Sequence, residues 1–419
     1  MEAYASSIIT ELKRADSNNR AEWFSSIDHR HMRRALWLAR RGLGWVSPNP
    51  PVGCVLARGA RVLAVGWHTR HGGPHAEAAA LEAAKAQNED IRGATAYITL
   101  APCAHQGKTP PCADALLAAG VARVVAAMDD PNPIASGGLA KLRAAGVRVE
   151  AGLLAARAAE LMRGFLKRIA AGRPHVTLKY AMTLDGKAAS RTGHSRWITS
   201  QPARTLVHRW RAKVDAVMVG IGTVLADDPE LNVRTAHATA PMPLRHPMRV
   251  VVDALARTPP SARMLAPSIP GGRVVVMTTP HAPPERLEAL SRAGAEICPC
   301  AAADAAADAA ADAAADAIGE GEAPKVDLPS ALRELAVRYG VNTVLCEGGP
   351  ELAGALTRAG LVDEVAAFVA PKLLGGRMAP GPVGGLGAAG MDGAIALADA
   401  RLQRVGPDWL IVGKAAMPG

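Results

Sequence analysis

Short apolar runs alternate with amphipathic, alanine-rich stretches along the first third of the chain. The short runs predict strands, and the longer stretches repeat apolar positions every three or four residues and predict helices. The predicted order is helix, strand, strand, helix, strand, helix, strand, at MRRALWLARRG, VGCVLA, RVLAVGWH, HAEAAALEAAKA, AYITL, the residues after Cys112, and ARVVAAM. This interleaving is typical of an α/β layered fold.

The helical pattern LAARAAELMRGFLKRIAAG closes this first series. Gly172 follows its last periodic residue, and a proline comes soon after, which is the usual chemistry of a helix end. We place a domain boundary there, between residues 27–172 and 173–419, because 419 residues suit two domains that each bury a core. Residues 1–26 lack a sustained period and are expected to form a flexible extension.

A second series of short apolar runs follows the boundary, with helical segments between several of them. The runs are HVTLKYAMTLDG, DAVMVGIGT, MRVVVD, GRVVVMTT, NTVLCEGG and EVAAFVA, which predict a second α/β sheet. An alanine and aspartate insert, residues 301–317, interrupts this series. Alanine favours helix, but aspartates four residues apart repel one another. We expect a solvated insert, partly helical or disordered, without a chemical role.

Composition and charge narrow the classes of function. Hydrophobic residues make up 49% of the chain but aromatic residues only 3%, so the cores should be aliphatic. The net charge of +10 invites a nucleic-acid partner. The arginines cluster only in DHRHMRRALWLARR, however, where a solvated helix face or an anionic small substrate explains them equally well. We therefore expect a small-molecule partner and no nucleic acid.

The cysteines and the hydropathy pattern bear on location. Six cysteines at irregular positions, without a signal-peptide pattern at the N-terminus, point to a reducing compartment, so disulfides are not expected. The sequence has no run of about twenty apolar residues that could span a membrane. The expected location is the cytoplasm.

The chemistry begins with His75, Glu77, Cys103 and Cys112. In sequence order these residues form the motifs H-x-E, P-C and C, which together are the zinc deaminase pattern. That pattern provides three nitrogen or sulfur ligands, an open position for water, and a glutamate that is not a ligand. Taken singly, each cysteine would be a small buried apolar residue and the histidine a surface residue. The order of the motifs favours zinc.

The string PCAHQGKTPPC is more specific than the general pattern, because eight residues separate its cysteines. It resembles the P-C-x-x-x-G-x-T-P-P-C signature of the bifunctional riboflavin-biosynthesis family that joins diaminohydroxyphosphoribosylaminopyrimidine deaminase to 5-amino-6-(5-phosphoribosylamino)uracil reductase. NPPVGCVL, GWHTRHGGPHAEAAAL and MDDPNP are similar to further segments of that family. The resemblance covers the first domain and implies a cytidine-deaminase-like, three-layer α/β/α fold.

The same resemblance implies a role for each matching residue. It implies one zinc ion bound by His75, Cys103 and Cys112, with Glu77 as the catalytic proton shuttle. The implied substrate contacts are Asn49, His68, Lys108 and Asp130. Two of these residues keep an alternative explanation: Lys108 as a solvated lysine in a turn, and Asp130 as the aspartate of an Asx turn. The chain departs from the family at Ala101, where relatives usually carry glutamate, and in IASGGLAKL, which looks one residue shorter.

The second half contains a weaker motif of its own. In VMVGIGTVLADD a strand is followed by Gly-x-Gly-Thr, which leaves backbone N–H groups free to meet phosphate, but the acidic residue and spacing of a Rossmann unit are missing. With KYAMTLDGKAASRTGHSRWITS and LCEGGPELAGAL, it resembles the reductase half of the same family. That resemblance implies a dihydrofolate-reductase-like α/β fold that uses NADPH.

Matching positions in this half imply two sets of contacts. Those to the cofactor are Met182, Trp197, Thr223, Asp227, Gly349, Pro350, Glu351, Leu352, Ala353, Gly354 and Ala355. Those to the substrate are Ser195, Arg211, Leu231, Arg234 and Glu347. Lys179, also counted as substrate-binding, and Asp185 lie near the same motifs and could orient or protonate the opened sugar. The alternative for Asp185 is a mere hairpin turn.

Residues and resemblance together predict a two-step enzyme. Zinc-dependent hydrolytic deamination of 2,5-diamino-6-(5-phosphoribosylamino)pyrimidin-4-one precedes NADPH-dependent reduction of the ribosyl chain to 5-amino-6-(5-phosphoribitylamino)uracil.

One rival hypothesis is a tRNA base deaminase with a continuous basic groove, and another is a noncatalytic scaffold whose zinc has a fourth protein ligand. We expect a homo-oligomer with no membrane partner. Cys298 and Cys300 imitate a metal motif but are expected to be inert.

Overall fold

The computed structural model describes residues 24–106, 110–234, 245–266, 272–303 and 324–416. Contacts divide the chain into two compact units that adjoin in sequence at Arg173 and Pro174. Most of the expected N-terminal extension and most of the alanine and aspartate insert lie outside the described residues. No helix among the described residues is long and apolar enough to cross a membrane.

The first unit is built on a five-stranded sheet. Its strands are β1 (Gly53–Arg58), β2 (Arg61–Trp67), β3 (Thr95–Ile98), β4 (Arg123–Ala126) and β5 (Arg148–Ala151), in the order β2-β1-β3-β4-β5. β1 pairs antiparallel with β2 and β3, whereas β3, β4 and β5 are parallel. Its helices are α1 (Ser26–Ala39), α2 (Ala76–Ala86), α3 (Cys112–Ala118), α4 (Gly138–Ala144), α5 (Ala155–Leu161) and α6 (Arg163–Ala171).

Both faces of this sheet are covered. Val55 and Ala57 of β1 pack in an apolar cluster with α1, α5 and α6, while Cys54 and Leu56 pack in a second cluster with α2, α3 and α4. Side chains alternate along a strand, so five successive buried residues in β1 mean helices on both sides. The predicted α/β/α layers are confirmed.

One helical stretch differs from its prediction. The pattern before the domain boundary forms two helices, α5 and α6, rather than one, with a break at Met162 (φ −102°, ψ 12°). Gly164 follows the break in the first turn of α6, and glycine is a poor helix former. The apolar period continues across the break, which is why the pattern alone suggested a single helix.

The second unit contains a nine-stranded sheet. Its strands are β6 (His175–Thr183), β7 (Ala216–Gly220), β8 (Met248–Val252), β9 (Val274–Thr278), β10 (Glu296–Pro299), β11 (Thr343–Cys346), β12 (Glu364–Ala370), β13 (Ala396–Val405) and β14 (Asp408–Ala416). The order is β10-β9-β8-β7-β11-β6-β12-β14-β13. Its α-helices are α7 (Gln201–Arg211), α8 (Ile221–Asp227), α9 (Pro284–Arg292), α10 (Leu328–Val337) and α11 (Pro350–Arg358).

The strands from β10 to β12 are all parallel, and only β14 and β13 run antiparallel to their neighbours. In such a sheet, ligands bind in the crevice beyond the carboxyl ends of the strands. β6, β7 and β11 lie side by side at the centre of the sheet, so the residues after Thr183, Gly220 and Cys346 share one edge. The reductase motifs of the sequence follow these three strands.

Candidate active sites

The three metal-ligand candidates meet where two helices begin. His75 is the N-cap residue of α2, with extended backbone (φ −67°, ψ 163°), and Cys112 is the first residue of α3. Cys103 lies in the loop after β3 and is buried, as is Cys112. One ligand atom from each residue lies within 4.8 Å of the other two. Because a helix start lets side chains point past its end, residues from two helices reach one point.

The spacing of these atoms suits a tetrahedral ion. Nδ1 of His75 lies 3.4 Å from Sγ of Cys112 and 3.7 Å from Sγ of Cys103. Zinc with bonds of about 2.0 Å to nitrogen and about 2.3 Å to sulfur separates such ligands by about 3.5 Å at a tetrahedral angle. The donor set therefore fits zinc. Within the described ranges it is the one group of three or more such residues that could hold a metal.

Hydrogen bonds around the cluster favour a thiolate. The hydrogen bond from the Cys112 thiol lowers the pKa of Cys103 to about 4, and the same bond raises the pKa of Cys112. The backbone N–H of Cys112 also donates to Sγ of Cys103 over 3.4 Å. A thiolate is the form of cysteine that binds a metal, so Cys103 is prepared for that role.

Glu77 faces the same cluster from the first turn of α2. Only 3% of the residue is exposed, and burial raises the pKa of its carboxyl to about 7. The carboxyl forms a hydrogen bond with the thiol of Cys112. A buried carboxyl with a pKa near neutrality can accept and release a proton at physiological pH.

Asn49 and His68 lie beside the cluster. Nδ1 of His68 lies 2.8 Å from the carbonyl oxygen of Pro74, and Nε2 lies 3.1 Å from Nδ2 of Asn49. A carbonyl only accepts, so Nδ1 carries the proton and Nε2 accepts from the Asn49 amide. Burial lowers the pKa of His68 and keeps the ring neutral. Its ring meets the ring of His75 edge-on at 5.5 Å.

Of the other two predicted substrate contacts in this unit, one is described. Oδ1 of Asp130 accepts a hydrogen bond from the backbone N–H of Asn132 at 2.9 Å, so the Asx turn weighed as an alternative is present. Burial raises the pKa of Asp130 to about 6, and the nearby Cys103 raises it further. The carboxyl therefore borders the metal cluster as well as forming the turn. Lys108 lies outside the described residues.

Two glycines permit the close contacts that position the ligands. A Cβ on Gly66 of β2 would lie 2.3 Å from the carbonyl oxygen of Ala76, in the first turn of α2. A Cβ on Gly138, the first residue of α4, would lie 1.8 Å from the carbonyl oxygen of Pro102. Neither distance is possible for a real side chain. Both the helix that carries Glu77 and the loop that carries Cys103 depend on a missing side chain.

In the second unit, three charged side chains meet at the central sheet edge. Nε and Nη2 of Arg211 donate to the two oxygens of Glu347 at 2.6 and 3.0 Å, while Nζ of Lys179 lies 3.8 Å from Oε2. All three side chains are less than 20% exposed. Burial lowers the pKa of Lys179, whereas the charges of Arg211 and Lys179 outweigh burial and lower that of Glu347.

The predicted substrate arginines differ in their surroundings. Nη1 of Arg211 also donates to the carbonyl oxygen of Asn232 at 3.0 Å, so its guanidinium is engaged on both sides. Arg234 is 61% exposed at the side chain and lies 3.8 Å from Glu230. Arg234 therefore keeps donors available to a ligand. Leu231 is buried in an apolar cluster, with a positive φ of 50°, and Ser195 is half-buried.

Trp197 is 61% exposed but held from several directions. The guanidinium of Arg204 lies 4.4 Å from the centre of its ring, and its carbonyl oxygen accepts a hydrogen bond of 2.8 Å from Nζ of Lys372. Arg196 donates to the carbonyl oxygen of Asp227 at 2.5 Å. Two predicted cofactor contacts, Trp197 and Asp227, are thus joined through neighbouring arginine contacts.

The glycine-rich motif after β11 forms a cradle at the start of α11. Gly349 is the N-cap residue of that helix, and a Cβ on it would lie 3.3 Å from Oγ1 of Thr223 in α8. A Cβ on Gly348 would lie 2.8 Å from the Leu352 side chain. Glycine at these two positions therefore lets the start of α11 lie close to Thr223 and Leu352, and the first N–H groups of a helix, which have no partner within the helix, can bind an anion. Ala353 is fully buried in the core, so only the first turn is available.

Sequence reasoning missed several residues of this second site. They are Arg204, which lies against the ring of Trp197; Lys372, which donates to the Trp197 carbonyl; and Asn232, whose carbonyl accepts from Arg211. No sequence motif indicates contacts of this kind. The pattern RTLVHRWR, with basic residues on one helix turn after another, was the one available signal for α7.

The chain is similar to known proteins over most of its length. Residues 174–411 match the family model of the RibD C-terminal domain, and residues 25–128 match that of the cytidine and deoxycytidylate deaminase zinc-binding region. The riboflavin biosynthesis protein RibD of Escherichia coli (strain K12) is 40% identical over 397 residues, which cover 91% of this chain and 97% of that one. RibD of Actinobacillus pleuropneumoniae is 37% identical over 382 residues, 91% of this chain and 93% of that one.

Solved structures give the same result. Acinetobacter baumannii RibD, form 1, has a TM-score of 0.77 at 37% identity, and the match covers 93% of this chain and 99% of that chain. A diaminohydroxyphosphoribosylaminopyrimidine deaminase/5-amino-6-(5-phosphoribosylamino)uracil reductase from Thermotoga maritima has a TM-score of 0.74 at 32% identity, with the same coverage. The similarity therefore extends across both units.

Proposed function

This chain belongs to the RibD family and is a bifunctional deaminase/reductase of riboflavin biosynthesis, and from that premise we propose which of its residues carry each reaction. The two reactions are those that the Thermotoga maritima relative is named for. The first unit deaminates the phosphoribosylaminopyrimidine, and the second reduces the ribosyl chain of the deaminated product. The deaminase and reductase domains indicate zinc and a nucleotide cofactor, and we propose NADPH as the latter.

His75, Cys103 and Cys112 are proposed to hold the zinc ion. Their interatomic distances and the lowered pKa of Cys103 support this assignment. A zinc ion bound there supplies a Lewis acid that makes water nucleophilic near neutral pH. Among the residues that the structure describes, the metal-binding group has these three ligands alone, which fits the three protein ligands and open fourth position of catalytic zinc sites. This argues against the scaffold hypothesis.

Glu77 is proposed to carry the proton of the deamination. As water adds to the carbon that bears the amino group, Glu77 accepts one proton from the water and passes it to the adjacent ring nitrogen. It then moves the proton of the new hydroxyl to the amino nitrogen, so that the C–N bond breaks, ammonia leaves and the carbonyl of the product forms. Its burial and its pKa near 7 suit both steps. Asn49 and the neutral His68 orient the pyrimidine with directional hydrogen bonds, and Asp130 accepts from an amino group.

In the second unit, the residues at the central sheet edge are proposed to bind the opened sugar. NADPH, when bound, supplies the hydride for C1. The first turn of α11 and Thr223 hold its phosphates, with Met182, Trp197 and Asp227 around the rest. Arg234 binds the substrate phosphate, Arg211 orients Glu347, and Lys179 holds the proton that the reduced product requires. The lowered pKa of Lys179 supports that last role.

The convergence of His75, Cys103, Cys112 and Glu77 carries the proposal, and Glu77→Gln tests it. The amide keeps the size of the side chain but cannot carry the proton. With zinc bound, we expect ammonia release from the pyrimidine substrate to fall at least about a hundredfold. Deaminated substrate should still consume NADPH at the wild-type rate, as followed by its absorbance.

Three outcomes of this experiment are informative. Normal ammonia release by the variant would contradict the role of Glu77. Loss of both activities would contradict two separate sites. A wild-type enzyme that releases no ammonia from the pyrimidine, with its zinc content verified, would contradict the proposed substrate.

A further inference from the structure

A ten-residue segment, residues 371–380, is fastened to the end of β6. The backbone N–H of Leu184 donates to the carbonyl oxygen of Lys372 at 2.9 Å, and that of Ala188 donates to the carbonyl oxygen of Pro380 at 2.8 Å. Nζ of Lys187 donates to the carbonyl oxygen of Ala379 at 3.1 Å. We call this segment the strap. Nine of its ten residues are exposed, so these bonds rather than core packing fix its course.

Asp185 supplies the strongest of these attachments. Its carboxylate accepts hydrogen bonds from the backbone N–H groups of Gly375 at 2.6 Å and Leu374 at 3.1 Å, and from Oγ1 of Thr183 at 2.5 Å. These bonds lower the pKa of Asp185 to about 2, the one from Thr183 most. The carboxylate is therefore ionised at neutral pH and acts as an acceptor, with no proton to donate.

The strap leads directly to the proposed cofactor site. Lys372 is two residues from Leu374, and its ammonium donates to the carbonyl oxygen of Trp197 at 2.8 Å. The ring of Trp197 also lies under Arg204. Since Trp197 is largely exposed, these contacts rather than burial hold it: Lys372 fixes its backbone, and Arg204 lies against its ring. An unbroken series of hydrogen bonds and covalent links thus connects Asp185 to Trp197.

We propose that Asp185 is a positioning residue of the reductase site, which holds the strap so that Lys372 fixes Trp197 for cofactor binding. The inference rests on the proposed function, because that function assigns Trp197 to NADPH. It replaces the hypothesis that Asp185 contacts the sugar and adds a role to the hypothesis of a turn. Asp185 lies in a turn, since Gly186 donates to the carbonyl oxygen of Thr183 and has a φ of 77°, but its side chain serves a distant segment rather than the sugar.

Asp185→Asn in the full chain tests the proposal. An amide keeps one accepting oxygen but presents N–H groups in place of the other, so at least one hydrogen bond to Thr183, Leu374 or Gly375 is lost while size is kept. We expect the Kd for NADPH, measured by fluorescence titration, to rise roughly tenfold, the effect of one charge-assisted hydrogen bond. The kcat at saturating NADPH should change less than the KM for NADPH, and its pH profile should keep its shape. Trypsin should cleave after Lys372 and Arg377 faster.

Two further variants complete the design. Lys372→Met removes the hydrogen bond from Lys372 to the carbonyl oxygen of Trp197. It should reproduce the rise in the Kd for NADPH without changing the surroundings of Asp185. Asp392→Asn makes the same chemical change at an exposed aspartate outside the strap and should leave the Kd unchanged. A loss of kcat with unchanged Kd in Asp185→Asn would make Asp185 a proton donor and overturn the proposal.

The test separates this inference from the proposed function. A wild-type enzyme that binds no NADPH would contradict the proposed function. A wild-type enzyme that binds NADPH, with unchanged Kd in both Asp185→Asn and Lys372→Met, would overturn the positioning role alone.

Discussion

Arg211 acts through the geometry of its guanidinium as much as through its charge. Two parallel hydrogen bonds to Glu347 and a third to the carbonyl oxygen of Asn232 engage its guanidinium on two sides. A lysine provides the same charge but no fork. The residue therefore fixes the carboxylate of Glu347 rather than merely neutralising it.

This difference predicts the effect of Arg211→Lys. Glu347 loses a bidentate partner, so the kcat/KM for the deaminated substrate should fall about tenfold to a hundredfold, as steady-state NADPH consumption will show. Ammonia release from the pyrimidine should be unaffected. Arg209→Lys, on the same helix but outside the Glu347 contact, is the matched control. Equal activity of Arg211→Lys and wild type would mean that charge alone suffices.

At the residue scale, the sequence was most informative where chemistry demands a fixed set of residue types. Because few types of side chain bind zinc, the motifs H-x-E, P-C and C are enough to predict the zinc ligands. The structure brings these ligands, His75, Cys103 and Cys112, together. It was least informative for Lys372 and Asp185. Their contacts are made to backbone atoms 175 and 190 residues away in sequence. Since every residue has a backbone carbonyl and nearly every residue a backbone N–H, such contacts do not depend on the type of residue and cannot be predicted from it.

At the element scale, the entry into α4 is set by its contact with the Cys103 loop. Gly137 has a φ of 94°, and Gly138 lies against the carbonyl oxygen of Pro102. The backbone N–H of Ala104 also donates to the carbonyl oxygen of Ala135 at 3.2 Å. The helix start and the ligand loop are therefore one packed unit, although 34 residues separate Cys103 from Gly138.

Gly138→Ala should uncouple this unit. The added Cβ cannot fit 1.8 Å from the Pro102 oxygen, so either α4 or the Cys103 loop must move. We expect lower zinc content per chain by atomic absorption and a lower melting temperature of the first unit. Gly222→Ala adds a Cβ that meets nothing within 4 Å and should keep both values. Full zinc occupancy in Gly138→Ala would show that the loop adapts.

Elements with one buried face were predicted well, and exposed ones were not. The interleaved strands and helices of both units are confirmed as α/β. The hairpin of β13 and β14 was missed. β13 is exposed along nearly its whole length, and although ADARLQ within it alternates, two of the three apolar positions there are alanine, which is depleted in strands. An exposed strand with few large apolar residues gives a weak hydrophobic signal.

At the scale of the whole molecule, each unit contains one of the two candidate sites. The metal cluster uses residues before Arg173, and the reductase site uses residues after Pro174. Each unit also has its own apolar clusters. Ligands of one site should therefore stabilise one unit and not the other.

Calorimetry can measure this separation. Binding to the folded form raises the melting temperature of the unit that binds, so removing zinc should lower one transition, and adding NADPH should raise the other. Cys103→Ser should behave like the metal-free protein and lose its response to added zinc. A single transition that responds equally to both ligands would contradict two independent units.

The order of strands in the second sheet bears on how the chain folds during synthesis. β6 is the first strand of that unit to be made, yet its two neighbours, β11 and β12, come about 160 and 180 residues later. The first unit is complete once Arg173 has left the ribosome, whereas both edges of β6 stay unpaired until β11 emerges, and one edge stays unpaired until β12 follows. We therefore expect the reductase half to be the slower and more aggregation-prone part of synthesis, with the rate of translation between residues 184 and 370 setting how long that exposure lasts.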